Sequence, residues 1–314
     1  MKGAAPGLVV AAPRSGSGKT TLTLGLLAAF RRAGRTVASV KAGPDYIDPA
    51  FHAAATGRPA FNLDTWAMGG DLLDSIAAQA GREADLVVCE GLMGLFDGVT
   101  PGAAGDGSTA SLAARFGWPV VLVLDVAGQS QSAGAIAKGF AAFRADVAIA
   151  GVVLNNVGSP RHADLCRRGV AEAGLPVFGA LPRRADLAVP ERHLGLIQAE
   201  EIAGLDARIA AIADHVAAHV DLDAVAAAAA SRPRVSPVAP SAPAAAPSPP
   251  GERAAGVRGK SRRSKEPPRP ALRATSSPRG RRKGWPSCRR WRSARRRSAS
   301  RSPAMPPSRS STAT

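Results

Sequence analysis

Six short apolar runs separated by longer amphipathic stretches restrict this chain to very few architectures. The runs are LVVAA (8–12), TVASVKA (36–42), DLVVCEG (85–91), PVVLVLDV (119–126), VAIAGVVLNNV (147–157) and PVFGALP (176–182). Helical stretches are predicted between and after them, at 19–34 (closed by Gly34), 70–81 (Asp71 near its start), 107–117, 130–143 and 161–174. A long Ala-rich helix over about 200–229 ends the folded part. Strands that are apolar on both faces and alternate with helices imply a parallel sheet covered on both sides. The expected fold is therefore α/β, a doubly wound parallel sheet with its site at the carboxyl ends of the strands.

After Ala230 the composition changes. Residues 231–251 form a Pro/Ala/Ser linker, and 252–314 are rich in Arg, Ser and Pro without apolar periodicity. The expected organisation is a folded domain over 1–230, a linker over 231–251 and a disordered basic tail over 252–314. Charge follows this division. The formal net charge is +17, yet from Arg232 onward there are 22 Lys+Arg and 2 Asp+Glu, leaving 19 basic and 22 acidic residues before it. The folded part is mildly acidic, so nucleic-acid binding is expected only through the tail and only non-specifically. Trp285 and Trp291 could add stacking there.

Three cysteines, Cys89, Cys166 and Cys288, form no closely spaced pair, which argues against a disulfide framework or a cysteine zinc site. Core packing accounts for Cys89. No apolar run is long enough to cross a bilayer, and the opening MKGAAPGLVVAAPRSG reads as a first strand rather than a signal peptide. The expected location is the cytoplasm, with no membrane partner.

APRSGSGKTT (12–21) joins the first strand to the first helix and has the form of a P-loop NTPase-like phosphate loop. Backbone N–H groups of such a turn, and of the helix N-terminus behind it, point at phosphate oxygens. Lys19 supplies a charge to the outer phosphates, the Thr20 hydroxyl can ligate Mg²⁺, and Gly16 and Gly18 let the backbone come close. Pro13 stands where the first glycine is expected. It removes one N–H donor, but its fixed φ suits a turn. Arg14 either reaches phosphate or is an exposed turn residue.

Carboxylates follow two of the strands. KAGPDYIDPAFH (41–52) brings Lys41, Asp45 and Asp48 to the sheet edge, and CEGLMGLFDG (89–98) brings Glu90 and Asp97. Beside a phosphate loop such groups hold Mg²⁺ and orient an acceptor. Turn capping is the competing account of Asp45 and Asp48. Glu90 ends a wholly apolar strand, where an unpaired charge is costly, so a cation or charged ligand is its economical partner. Asp125 ends the next strand in the same way. Asn155, in GVVLNNVGS (151–159), can pair with a purine edge, or form an ordinary Asn turn.

Taken in order, APRSGSGKTT, KAGPDYIDPAFH, NLDTWAM, CEGLMGLFDG, LNNVGS and GALPRRADLAVPERHLGL resemble the synthetase domain of the cobyrinate and hydrogenobyrinate a,c-diamide synthase family, over about residues 7–200. The resemblance implies that ATP phosphorylates the a and c carboxylates of a corrin ring and that ammonia displaces the phosphate, leaving amides. It implies ATP and Mg²⁺ as cofactors. Ser15, Gly16, Ser17, Gly18, Lys19, Thr20, Thr21 and Asn155 would bind ATP, and Thr20, Asp45 and Glu90 would hold the metal. Asp48 and Asp97 would handle substrate and intermediate, and Lys41 would stabilise charge on the transferring group. These make Lys41, Asp45, Asp48, Glu90 and Asp97 the catalytic set. His193 matches a family motif without a physical assignment. The implied partners are a corrinoid small molecule and ammonia or glutamine as nitrogen source, with a homodimer left open.

The family continues into a glutaminase domain that the sequence after residue 231 does not match. Cys288, in PSCRRWRSARRR, lacks the glycine-rich turn of a nucleophile. The Arg/Ser/Pro/Ala composition is that of a G/C-rich coding sequence read out of frame, so a frameshift near 232–255 is expected, and with it restriction to free ammonia or dependence on a separate glutaminase. Two alternatives stand beside the ligase. One is a partitioning-type P-loop ATPase with a nucleic-acid-binding tail, which has no need of KAGPDYIDP and EGLMGLFDG. The other is a sister ligase acting on other corrin carboxylates, which differs in the loop after the second strand.

Overall fold

The computed structural model describes residues 5–187 and 204–231. Seven strands form one sheet: β1 (Gly7–Ala11), β2 (Val37–Ala42), β3 (Phe61–Leu63), β4 (Leu86–Glu90), β5 (Val120–Asp125), β6 (Ile149–Val157) and β7 (Val177–Pro182). Their order across the sheet is β3-β2-β4-β1-β5-β6-β7 and every ladder is parallel. Helices α1 (Lys19–Arg32), α2 (Asp48–Thr56), α3 (Gly70–Ala80), α4 (Thr109–Phe116), α5 (Ser132–Phe143) and α6 (Pro160–Glu172) connect successive strands, and α7 (Leu205–His219) and α8 (Leu222–Ala230) follow.

Side chains along β1 divide between two layers of core. Leu8, Val10 and Ala12 pack with Leu22, Leu26, Ile212 and Val216 of α1 and α7, whereas Val9 and Ala11 face Leu73, Ala110 and Leu112 of α3 and α4. A third cluster, around Leu122, Leu124, Val152 and Cys166, continues this second layer under α5 and α6. Burial on both faces is what removes the polar alternation from these strands. Each fully buried leucine contributes about 1.5–3 kcal/mol, and the core holds many of them.

α1 is buried along most of its length and lies against α7. The two helices come together at Gly25, where an added Cβ would lie 2.2 Å from Cγ2 of Val216. From β1 the chain moves one way to β2, β3 and β4 and later the other way to β5, β6 and β7. The resulting crevice opens at the carboxyl end of β1, the place where such sheets hold ligands.

Two elements depart from the sequence reading. The stretch after β2, read as loop, contains α2 and the three-residue β3. Pro49 occupies the first turn of α2, where its missing N–H costs nothing. The long helix over about 200–229 is two helices. Val220 is extended and bridges Gly179 of β7, and the Asp221 side chain accepts from the N–H of Ala224 to start α8. An Asp in that position favours a new helix start over continuation. Residues 200–203, His193, the linker from 232 and the basic tail lie outside the described residues.

Candidate active site

Gly16 and Gly18 of the loop after β1 have φ of +73° and +95°, the left-handed region open to glycine. At Gly18 an added Cβ would also lie 2.2 Å from the Asn155 side-chain nitrogen. The end of β6 and the loop after β4 brace the phosphate loop. The Asn155 amide donates to the carbonyl of Ser17, and the N–H of Leu95 donates to the carbonyl of Ala12. Ser17 itself turns inward, its hydroxyl donating to the Arg14 carbonyl at 3.0 Å. The Lys19 ammonium, on the first residue of α1, donates to the carbonyls of Met93 (2.7 Å) and Arg14 (3.3 Å). Burial pushes it below the usual lysine range, against the pull of Glu90.

The ends of β2 and β4 are neighbours in register, with Lys41 opposite Glu90. Both are buried, Glu90 to 1 % exposure, and the reason they can be is that they are paired. Glu90 Oε1 accepts from Thr20 Oγ1 at 2.6 Å and from Lys41 Nζ at 3.1 Å, while its Oε2 lies 2.7 Å from His52 Nε2. Lys41 Nζ also reaches Asp48 Oδ2 at 2.8 Å and the Gly91 carbonyl at 3.2 Å. Burial alone would raise the Glu90 carboxyl. Lys41, His52 and Thr20 outweigh it and hold the group down to about 2. Burial likewise works against the Lys41 ammonium, and Glu90 and Asp48 drive it well above the lysine range. Two carboxylates thus share one ammonium. Asp48 is raised, first by burial and then by repulsion from Glu90, which Lys41 offsets only in part.

Asp45 accepts from the N–H groups of Ile47 (2.9 Å) and Asp48 (3.2 Å), so it caps the turn into α2 as its turn chemistry allows. Burial opposes its charge, but these two N–H groups prevail and lower its pKa. Asn62, on β3, donates to the carbonyls of Gly43 and Asp45 and fixes this loop from the other side.

Of the residues singled out in the sequence, Ser15, Gly16, Gly18, Lys19, Thr20, Thr21, Lys41, Asp45, Asp48, Glu90 and Asn155 line one cavity of about 720 Å³. Ser17 and Asp97 do not line it. Asp97 is exposed and accepts from the N–H of Gly94 at 2.8 Å, bracing the loop whose Met93 carbonyl holds Lys19. Asp125 pairs with Arg14 at 3.1 Å and accepts from Asn156, so it anchors the outer face of the phosphate loop. Cys89 is fully buried, and burial pushes its thiol up to about 12, which suits packing and not nucleophilic chemistry.

Sequence reasoning passed over His52, Arg184 and His215. The last two wall the cavity from the turn after β7 and from α7. His52 had one legible signal, its place four residues after Asp48, but only on a helix does that spacing bring both to one face.

Thr20, Glu90 and Asp45 bring oxygen donors to the cavity, a hydroxyl and two carboxylates. Among the described residues no group of three or more His, Cys, Asp or Glu could cage a metal by itself. This set fits Mg²⁺, which takes one or two protein oxygens and fills its shell with water and phosphate. Zinc sites are built mostly on Cys and His, and this set has neither.

Residues 8–197 match the family model described as the CobQ/CobB/MinD/ParA nucleotide binding domain. The chain is 60 % identical over 228 residues to the hydrogenobyrinate a,c-diamide synthase of Rhodobacter capsulatus, covering 72 % of this chain and 52 % of that protein. It is 54 % identical over 220 residues to the synthase of the same name from Brucella ovis, covering 70 % and 50 %. For that of Rhizobium meliloti the figures are 53 % over 223 residues, 71 % and 51 %. The chain spans about half the length of these relatives. With the phosphate loop, the parallel sheet and the matched residues in agreement, the chain belongs to the CobQ/CobB/MinD/ParA nucleotide-binding domain family.

Proposed function

We propose that this chain carries the ATP-dependent ligase activity of a hydrogenobyrinate or cobyrinate a,c-diamide synthase. The carboxylates a and c of the corrin ring are converted to amides by way of acyl phosphates. The observation that carries the reading is the cluster of buried Lys41 and Glu90 with half-buried Asp48, set against the phosphate loop through Thr20. A nucleotide switch needs the loop; a ligase also needs charged groups beside it to receive a second, acidic substrate. Similarity to the named synthases supplies the substrate class.

The chemistry divides into two displacements. A carboxylate oxygen of the ring attacks the γ-phosphorus of ATP; the bond to the β,γ-bridging oxygen breaks and ADP leaves. Ammonia then attacks the acyl carbon, the C–O bond to phosphate breaks, and loss of a proton from nitrogen leaves the amide and inorganic phosphate. Nitrogen enters as ammonia, taken free or released from glutamine elsewhere.

The loop N–H groups and Lys19 bind the outer phosphates, and Asn155 holds the loop in the shape that allows it. Thr20 and Glu90, with Asp45 nearby, would hold Mg²⁺, which when bound neutralises charge on the phosphates. Lys41 lies where a cation steadies the incoming carboxylate and the charge on the transferring group. Asp48 sets the position of Lys41. Asp97 contributes by fixing the loop that ends β4.

The test is product formation by the purified chain given ATP, Mg²⁺, ammonium and hydrogenobyrinate or cobyrinate. Diamide is expected, and both Lys19→Ala and Asp45→Asn are expected to abolish it. Full activity in either variant removes the role assigned to that residue. ATP hydrolysis stimulated by DNA and indifferent to corrinoid would favour a partitioning ATPase instead.

A further inference from the structure

His52 is fully buried, does not line the cavity, and has no task in the reaction just described. Its Nε2 lies 2.7 Å from Glu90 Oε2. An ionised carboxylate only accepts, so Nε2 carries the hydrogen. Its Nδ1 is buried without a partner. A proton relay through the ring would have to enter or leave at Nδ1, which has no hydrogen-bond partner, and that leaves orientation as the service His52 can perform.

Glu90 needs that service. Its side chain turns about three bonds, and Oε1 is held by Thr20 and Lys41, both of which line the cavity. Nucleotide, metal and substrate would draw those two partners away. The contact with His52 comes from outside the cavity and is independent of its contents. It is anchored through α2: the His52 carbonyl accepts from Thr56 Oγ1 at 2.9 Å, and Asp48, one turn earlier, grips Lys41. One short helix thus fixes both members of the buried pair.

We infer that His52 is a positioning residue: its Nε2–H pins Glu90 Oε2 and leaves Oε1 aimed at Thr20, where the metal of the nucleotide would be held. The inference rests on the metal role given to Glu90 above, but not on the identity of the corrin substrate.

Three variants of the full chain separate orientation from packing. In His52→Gln the amide nitrogen stands as many bonds from Cα as Nε2 does, so the donor is kept. His52→Asn places it one bond short, and His52→Leu fills the space with no donor. Binding of Mn²⁺ in the presence of β,γ-methylene-ATP is read by electron paramagnetic resonance, and folding by thermal melts. His52→Gln is expected to bind Mn²⁺ within about threefold of the parent. His52→Asn and His52→Leu are expected to bind about 10–100-fold more weakly, with diamide kcat falling and the corrin KM unchanged. A folded His52→Leu with parental Mn²⁺ affinity overturns the inference, as does a folded His52→Gln as weak as His52→Leu. If Asn and Leu fail to fold, His52→Gln alone decides by the same threshold. Failure of all three to fold makes His52 a packing residue and ends the proposal. A parent chain that binds Mn²⁺ with nucleotide but forms no diamide removes the corrin assignment and leaves this test intact.

Discussion

Lys41 stands between two carboxylates at the floor of the cavity, itself almost fully buried, and that position determines what its loss does. Lys41→Met keeps the stem but strands Glu90 and Asp48 together in the interior. Removing one partner of a buried pair costs about 3–5 kcal/mol, so urea unfolding of Lys41→Met should show a loss of that order. Glu90→Gln should be milder, since a neutral amide still bonds its neighbours. The same cluster gives a pH signature. The Glu90 carboxyl is lowered from 4.5 to about 2 on folding, so its stabilising contribution is complete above pH 4.5 and is lost as pH falls toward 2. Between pH 5 and pH 3 the parent should lose more stability than Glu90→Gln; equal losses would mean Glu90 is not held as a carboxylate. At this scale Glu90 was legible in the sequence, because a charge closing an apolar strand has few explanations. His52 was not, because its meaning depends on a helix that the residues DPAFHAAAT, with alanine at four of nine positions, do not announce by periodicity. Asp45 carried both readings at once: it lines the cavity and caps the turn.

Elements meet here with little clearance. α1 and α7 touch at Gly25, where an alanine methyl would press on both Cβ and Cγ2 of Val216. Overpacking of this kind costs about 1–3 kcal/mol, more than the gain of about 1 kcal/mol from replacing glycine in a helix. Gly25→Ala should therefore lower stability, and Gly25→Ala with Val216→Ala should be less destabilised than the two single losses combined, as measured in a double-mutant cycle. Additive losses would show that the helices have room to part. Strands and helices of the sheet were legible to within a few residues, because burial on both faces leaves uninterrupted apolar runs. β3 was not: three residues, FNL, carry no period, and its place depends on ladder bonds to β2. The break between α7 and α8 was hidden by alanine on both sides, although Asp221 is a cap written in the sequence.

For the whole molecule, the sequence separates a mildly acidic front from a tail of 22 Lys+Arg and 2 Asp+Glu. We predict salt-sensitive, sequence-independent DNA binding by the full chain that disappears when the chain is stopped after Ser231. Corrin-dependent turnover should survive that truncation, because among the described residues the cavity lining ends at His215. The central claim is narrower: the phosphate of ATP is used to make a carboxylate oxygen leave. It is tested most directly with hydrogenobyrinate labelled with ¹⁸O in its carboxylates, incubated with the protein, ATP, Mg²⁺ and ammonium. Activation through an acyl phosphate predicts one ¹⁸O in inorganic phosphate for each amide formed. Amide or phosphate accumulating without transfer of the label would contradict it.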